Sequence, residues 1–515
     1  MTRLFLSVLP LLLLSVSELM AQAPLPQVLP SRVEDAIRLS TVNLQGSARF
    51  MGTGGSMTPI GVDVSTMHVN PAGIGYNRSS YASASVGYTN RSITSLLRGN
   101  GTNRGISENT GTITVPNLSF VYTNSSQESD YNSLNFGFSL ARIADYNEVI
   151  RYSGDSGGSI LDALTEDFND SFFDDFRSNL LNVIDPTLFD NIDVLPQNDR
   201  RALLQDEFGY FSDFDFDDAQ QAQITRSGTV DRSGSMHEFA LSLGGNLDDK
   251  LMWGIGLGIP FFSFTETKTY DEVDGRDEVT RFEDASFDEV LTQQGSGANF
   301  KLGAIYLPTP AARISLSIQS PTFMTIDETY QTELTYNYTF RDEALGGNAR
   351  ANGQPVIVNL RTPWRFSAGA GYIIGTSGFL SIDADYVNYA GNAFSELDFT
   401  LVDEAANADI DATLGSTFNV RAGGEINLNP LQLRFGVGYQ TLPSLEPRFD
   451  QDESIITYST GLGYNAGRFF VDVAARYAGR NNAYAPYRTF FVDPNVVDTE
   501  RTRITGVLTV GYRGF

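Results

Sequence analysis

The sequence predicts an all-β protein: a 14-stranded antiparallel transmembrane β-barrel. Three observations predict it. Large apolar side chains alternate with small or polar ones in repeated stretches, the connections between those stretches alternate short and long, and the chain opens on a secretory-type leader.

The alternation is plain in GNLDDKLMWGIGLGI, residues 245–259, where Leu251, Trp253, Ile255, Leu257 and Ile259 are large and Gly254, Gly256 and Gly258 lie between them. Successive strand side chains point to opposite faces, so one face is greasy and the other nearly bare. Segments 298–306, 364–372, 431–439 and 469–477 repeat the pattern. Fourteen such strands are expected at roughly 79–90, 112–123, 131–146, 236–246, 250–264, 297–307, 312–326, 361–374, 379–389, 417–427, 431–441, 455–464, 468–478 and 503–515. Short turns at 124–130, 247–249, 308–311, 375–378, 428–430 and 465–467 alternate with seven long connections, the asymmetry of an outer-membrane barrel. Backbone polar groups cannot stay unpaired in lipid, so the sheet must close on itself. A soluble sandwich or propeller would also alternate, but it does not explain the leader, the even strand count or the one-sided loops. The large side chains then face lipid, and the glycines face a crowded interior. The chain ends on Phe515, although Tyr512, Val510 and Leu508 fall on the opposite parity.

The first residues carry Arg3, an apolar run from Leu4 to about Val16 that contains Pro10, and Ala21, the layout of a signal peptide. The run is too short for a membrane-spanning helix, which takes about 20 apolar residues. The expected organisation is a signal peptide over 1–21, a plug over 22–78 and the barrel over 79–515.

Composition excludes several functions. There is no Cys, which removes disulfides, thiolate metal ligands and a Cys nucleophile. A formal charge of −27 with Lys250, Lys268 and Lys301 as the only lysines excludes a general grip on nucleic-acid phosphates. His68 and His237, the only histidines, leave little for acid–base chemistry, and His68 is expected to pack within the plug. No enzyme activity and no cofactor are expected.

Before the first strand, Ser31 with Glu34 forms a capping box for a short helix through Ile37 and Leu39. GTGG at 52–55 lacks the Lys of a phosphate loop. In GVDVSTMHVNPAGIGYNRSS, Pro71 forces Asn70 out of the helical region and Gly73 permits a tight turn, so the motif makes a rigid bend. The motif residues are Asp63, Ser65, Thr66, Asn70, Pro71, Ala72 and Gly73, preceded by Arg49, Met51, Gly52, Gly54 and Gly55. An amino-terminal segment with this motif ahead of a fourteen-stranded barrel resembles the FadL/TodX-type family of outer-membrane transporters for hydrophobic compounds, in its Bacteroidetes-type branch. Over the barrel the likeness is architectural only. The resemblance implies a barrel with an N-terminal plug (hatch) inside the lumen and passive uptake of fatty acids or aromatic hydrocarbons through the bacterial outer membrane. It implies capture at external loops, transfer to a lumen pocket, movement of the plug and lateral exit into the wall. It also implies an alternative, a barrel that partners outer-membrane protein-secretion machinery. A barrel hydrolase is the remaining alternative.

The longest connection, 147–235, holds nineteen acidic and six basic residues. Ile160, Leu164, Phe168, Phe172, Phe176 and Leu180 recur there at steps of four, an amphipathic helix that would capture greasy solutes or pack on the rim as a lid. A second helix is expected after Asp199 through Leu203, Leu204 and Phe208. GDSGG at 154–158 matches hydrolase strings, but Ser156 has no suitably placed imidazole or strand-to-helix elbow in the sequence. Asp213, Asp215 and Asp217 have the spacing that opens a calcium loop, yet no Gly or late Glu follows, so a solvated acidic loop is the default.

On the inward parity, Asp383, Asp385, Arg434, Asp472 and Arg476 are expected to pair across the lumen. The third strand breaks parity between Leu140 and Ile143, which suits a bulge. The family resemblance implies a kink in that strand that opens the wall sideways, and Ala141, Arg142 and Ile143 are the candidate gate.

Overall fold

The computed structural model describes residues 31–99, 102–125, 131–161, 203–206, 209–212, 222–279, 282–340, 343–396, 400–444, 454–487 and 495–514. The expected leader and Phe515 lie outside the described residues.

Fourteen antiparallel strands run in sequence order around one sheet. They are β1 (Tyr81–Leu97), β2 (Ile106–Ser125), β3 (Tyr131–Asp145 continued by Glu148–Ser156), β4 (Ile224–Leu247), β5 (Leu251–Val273) and β6 (Phe282–Tyr306). There follow β7 (Ala312–Gln319 and Phe323–Phe340), β8 (Glu343–Asn352, Val356–Arg361 and Arg365–Ile374) and β9 (Gly378–Asn388 and Ala393–Glu396). The last are β10 (Ser416–Leu428), β11 (Leu431–Gln440), β12 (Ile455–Ala466), β13 (Phe469–Tyr484) and β14 (Val497–Arg513). The ring closes where β1 pairs with β14, from Tyr81↔Arg513 to Leu97↔Val497. Pro321, Pro355 and Pro363 sit in the breaks of β7 and β8, where a residue without an N–H interrupts the ladder at least cost.

β5 explains both the barrel and the reach of its strands. From Leu251 to Phe261 the odd residues point out and are apolar: Leu251, Ile255, Ile259 and Phe261 are exposed. Beyond Phe261 the same face carries Ser263, Thr265, Thr267 and Thr269, while Phe262, Phe264 and Tyr270 are buried on the other. The parity is unchanged and the chemistry inverts. The lower part of the barrel is apolar outside, as lipid requires. The upper part is an ordinary sheet with water outside and a core within, made of residues such as Ile93, Ile150, Tyr152, Phe282, Phe287, Leu334 and Tyr336.

This inversion corrects several expected boundaries. The connection expected over 147–235 contains the second part of β3 and the first half of β4, and the stretch after 326 expected as a long loop is the hairpin of β7 and β8. Those extensions lack apolar-out alternation because their outer faces meet water. The second expected helix is also wrong: Leu203–Asp206 pairs with Gly209–Ser212 as a two-stranded ribbon. At the other end the turns are tight. Asp248 and Asp249 take positive φ of 52° and 56°, and Asn246 Oδ1 accepts from the Asp249 N–H at 3.0 Å.

The leading segment, residues 32–77, is mostly buried and lies against the inward faces of strands from around the ring. Helix α1 (Arg32–Ser40) begins at Ser31, whose side chain accepts from the Glu34 N–H at 3.4 Å, as the capping box predicts, and buries Val33, Ala36 and Leu39. A shorter helix, α2 (Ala48–Gly52), and two 3₁₀ turns, Val64–His68 and Pro71–Tyr76, follow.

Candidate functional site

The motif residues build two consecutive 3₁₀ turns. Asp63 caps the first, accepting from the Ser65 N–H at 2.9 Å, while Ser47 Oγ donates to its other oxygen at 2.6 Å. Ser65 Oγ accepts from the Ser47 N–H at 2.8 Å, and Thr66 Oγ1 donates to the Asp63 carbonyl at 2.6 Å. Asn70 caps the second turn, accepting from the Ala72 N–H at 3.0 Å, with Pro71 in the first helical position, where its missing N–H costs nothing. A Cβ on Gly73 would collide with Thr66 Oγ1, so only glycine lets the two turns close on each other. The wall is bare where the second turn touches it: a Cβ on Gly254 would collide with the Ala72 nitrogen.

Charged side chains tie the leading segment to the wall. Arg49 Nε and Nη2 both donate to Glu425 at 2.8 Å, Glu425 also accepts from Arg434 Nε at 2.7 Å, and Arg434 Nη1 donates to Asp472 at 2.6 Å. The Thr58 N–H donates to Asp383 at 3.2 Å. Asp385 pairs with Arg421 at 2.8 Å, and Arg476 Nη2 donates to Asn43 Oδ1 at 2.8 Å. Hence only Arg434 and Asp472, of the five inward charges read from sequence, pair with each other. His68 is buried between Glu238 Oε1, at 2.8 Å, and Ser139 Oγ, at 3.0 Å, with Lys301 Nζ on the same Glu238 oxygen. Burial holds the His68 imidazole below its ordinary value, and the neighbouring Lys301 adds to this against the pull of Glu238. On α1, Arg32 pairs with Glu328 at 2.7 Å, and burial raises the Asp35 carboxyl although Arg38 opposes it.

Among the described residues the ladder between β2 and β3 is cut short. β2 pairs with β3 only from Asn117↔Ala141 to Ser125↔Ser133. Above Ala141, β3 shifts register against β4 between Arg142 and Ala144, and its upper part, Glu148–Ser156, pairs with β4 alone. The freed backbone is met by the leading segment: the Asn43 N–H donates to the Ile143 carbonyl at 2.7 Å and the Gln45 N–H to the Arg142 carbonyl at 2.9 Å. Leu44, Ala141, Ile143, Ala144 and Tyr146 are buried there in one apolar cluster with Met236 and Phe264. Sequence reasoning missed Asn43, Leu44 and Gln45, which carry no local signal. It also missed Glu238, Lys301 and Glu425, which strand parity alone would have turned inward.

Between α1, the β3 break and strands β13 and β14 lies a cavity of about 240 Å³, lined in part by Ile37, Thr41, Ala144, Tyr146 and Ala478. Of the expected capture stripe, Ile160 is described and is buried, with Leu161, in the upper core; Leu164, Phe168, Phe172, Phe176 and Leu180 lie outside the described residues. So do Asp213, Asp215 and Asp217. Ser156 ends β3, buried, with Arg226 Nη1 donating to its Oγ at 3.1 Å. Neither histidine stands beside it: His68 lies in the leading segment and His237 pairs with Arg142 in the ladder.

A fourteen-stranded closed barrel has known counterparts. A FadL homologue of Pseudomonas aeruginosa matches over 91% of this chain and 98% of its own, at 12% identity and a TM-score of 0.52. The chain has the FadL-type fold. Two further structures align with this FadL-type barrel over similar lengths. The toluene transporter TbuX of Ralstonia pickettii covers 92% of this chain and 100% of its own, at 14% identity and a TM-score of 0.47. The toluene transporter TodX of P. putida covers 92% and 99%, at 11% identity and a TM-score of 0.48. No protein-family model and no curated protein matches the sequence.

Proposed function

We propose that this chain is a bacterial outer-membrane channel for the passive uptake of hydrophobic small molecules, with residues 22–78 as its plug. The observation that carries the reading is the β2–β3 ladder that stops at Asn117↔Ala141, with plug residues 43–45 bonded to the freed Arg142 and Ile143 carbonyls. A solute captured at the external loops, the role the sequence reading gives to Leu164, Phe168, Phe172, Phe176 and Leu180, enters the cavity beside α1. Displacement of residues 43–45 then opens a way past Ala141, Arg142 and Ile143 into the lipid outside the wall. The driving force is transfer of apolar surface from water, so the process needs no cofactor and no chemical step. The fold shared with a FadL homologue agrees with this reading.

The absence of native Cys makes a direct test simple. Gln45 and Arg142 are antiparallel bridge partners, whose Cα spacing of about 4.5–5.5 Å suits a disulfide. The Gln45→Cys/Arg142→Cys barrel is put into liposomes and the entry of radiolabelled toluene and oleate is followed. Oxidation is expected to abolish entry and reductant to restore it; equal entry in both states would reject the reading.

A further inference from the structure

The inner wall beside the larger cavity is unusually cationic for a chain of formal charge −27. On three adjacent strands, β13, β14 and β1, the inward positions bring arginines directly opposite one another: Arg480↔Arg501 and Arg91↔Arg503. Arg476 lies two residues from Ala478, the cross-strand partner of Arg503. Like charges directly opposed in a sheet repel, so such a cluster needs counter-charge.

Among the described residues the nearby carboxylates are shared. Asp145 is shared by Arg91, at 3.8 Å, and Arg142, at 3.0 Å. Glu148 is shared by Arg232, at 2.7 Å, and Arg501, at 2.9 Å. Both carboxylates are therefore taken by two guanidiniums each. Among the described residues the Arg503 side chain has no hydrogen bond or ion pair. Arg476 has only the neutral Asn43 amide, and its Nε is buried without a partner. Arg503 lines the cavity of about 240 Å³. It also lines an adjoining cavity of about 90 Å³, where Arg476 joins it. A guanidinium left unpaired inside a protein is costly unless something bonds it.

The geometry points to an anion subsite between Arg476 and Arg503, taking a compact organic anion, a carboxylate or sulfonate on an apolar body. The head would accept from the two guanidiniums, the group best suited to bidentate recognition of carboxylates. The body would lie against Ile37, Ala144, Tyr146 and Ala478 in the larger cavity. That space holds a solute of roughly ten non-hydrogen atoms, judged against the ~150 Å³ of an apolar cavity that takes up benzene. A long acyl chain does not fit inside it whole. This inference rests on the channel reading and narrows its substrate class from hydrophobic small molecules in general to small amphipathic anions.

The test measures binding of benzoate, toluene and sulfate to the full-length barrel in neutral detergent, by calorimetry. The intact protein is expected to bind benzoate about tenfold or more tighter than either toluene or sulfate. The Arg476→Gln/Arg503→Gln variant is expected to weaken benzoate binding by about a hundredfold, whereas Arg503→Lys keeps most of it. Retarded migration of the unheated barrel on a denaturing gel verifies that each variant is folded. The inference is overturned if the intact protein binds toluene as well as benzoate, if the folded double variant keeps its preference, or if sulfate binds as tightly as benzoate. Toluene entry that is blocked by the 45–142 disulfide, with no benzoate preference, would reject the anion subsite and leave the channel standing. Benzoate binding with entry indifferent to that disulfide would do the reverse.

Discussion

Asn70 and Gly303 are a matched pair: a Cβ on Gly303 would overlap the Asn70 Oδ1 that caps Ala72. The rigid bend of the leading segment thus rests on a bare patch of β6. Gly303→Val should displace the bend rather than the strand, because Asn70 and Pro71 belong to the shorter and less supported element. The expected cost is about 1–3 kcal/mol of local overpacking. The barrel should still migrate as folded without heating, while trypsin gains access to Arg49. Gly506→Val is the control, since no atom lies within 4 Å of a Cβ there.

Glu425 joins the leading segment to the wall, and removing it takes a partner from two cations at once. Glu425→Gln leaves Arg49 without its ion pair and Arg434 with Asp472 alone. Breaking a buried pair from one side costs about 3–5 kcal/mol. Arg49→Met should cost less, because Glu425 keeps Arg434 and the Arg49 side chain is already 18% exposed. Urea unfolding of both variants in detergent checks the order; a larger loss for Arg49→Met would contradict it.

How much of this was legible follows from where lipid touches the chain. Leu251 to Phe261 could be read because hydrocarbon forces every outward side chain to be apolar. At Ser263 that rule lapses: the outward face turns polar, and the strand continues unnoticed to Val273. The bend at Asn70 and Pro71 was legible because proline and capping act locally. Its seat on Gly254 and Gly303 was not, since it depends on which strands face the segment. Arg434 and Asp472 could be placed inward by parity, but their link through Glu425 to Arg49 depends on strand register, which the sequence does not print. The same holds for Arg91 and Arg503, opposed only because β14 closes on β1.

His68 gives the leading segment a dependence on pH. Burial and Lys301 disfavour its protonated form in the folded protein, while Glu238 favours it and Ser139 is neutral. Since the folded state takes up this proton less readily than the unfolded chain, the stability contributed here is fully present above the ordinary imidazole value of 6.5 and is lost as pH falls below it. The urea midpoint should therefore drop between pH 7.5 and 5.5 by more in the native protein than in His68→Gln. Equal slopes for the two proteins would refute a role for this imidazole.

The inversion along β5 predicts opposite answers from two positions on one outward face. Ile255 is 47% exposed in the middle of the apolar stretch, and Thr267 is exposed beyond it. In lipid, Ile255→Arg places a charge in hydrocarbon and should cost about 2–4 kcal/mol, whereas Thr267→Arg, in water, should cost about 0–1 kcal/mol. Both side chains leave the sheet in the same direction, so strand propensity and barrel closure cancel in the comparison and only the surrounding medium differs. Folding into phosphatidylcholine vesicles, followed by tryptophan fluorescence across a guanidinium series, measures the two differences directly. Equal costs would mean that the boundary between lipid and water does not fall between Phe261 and Ser263, and the assignment of the upper strands to the aqueous side would have to be withdrawn.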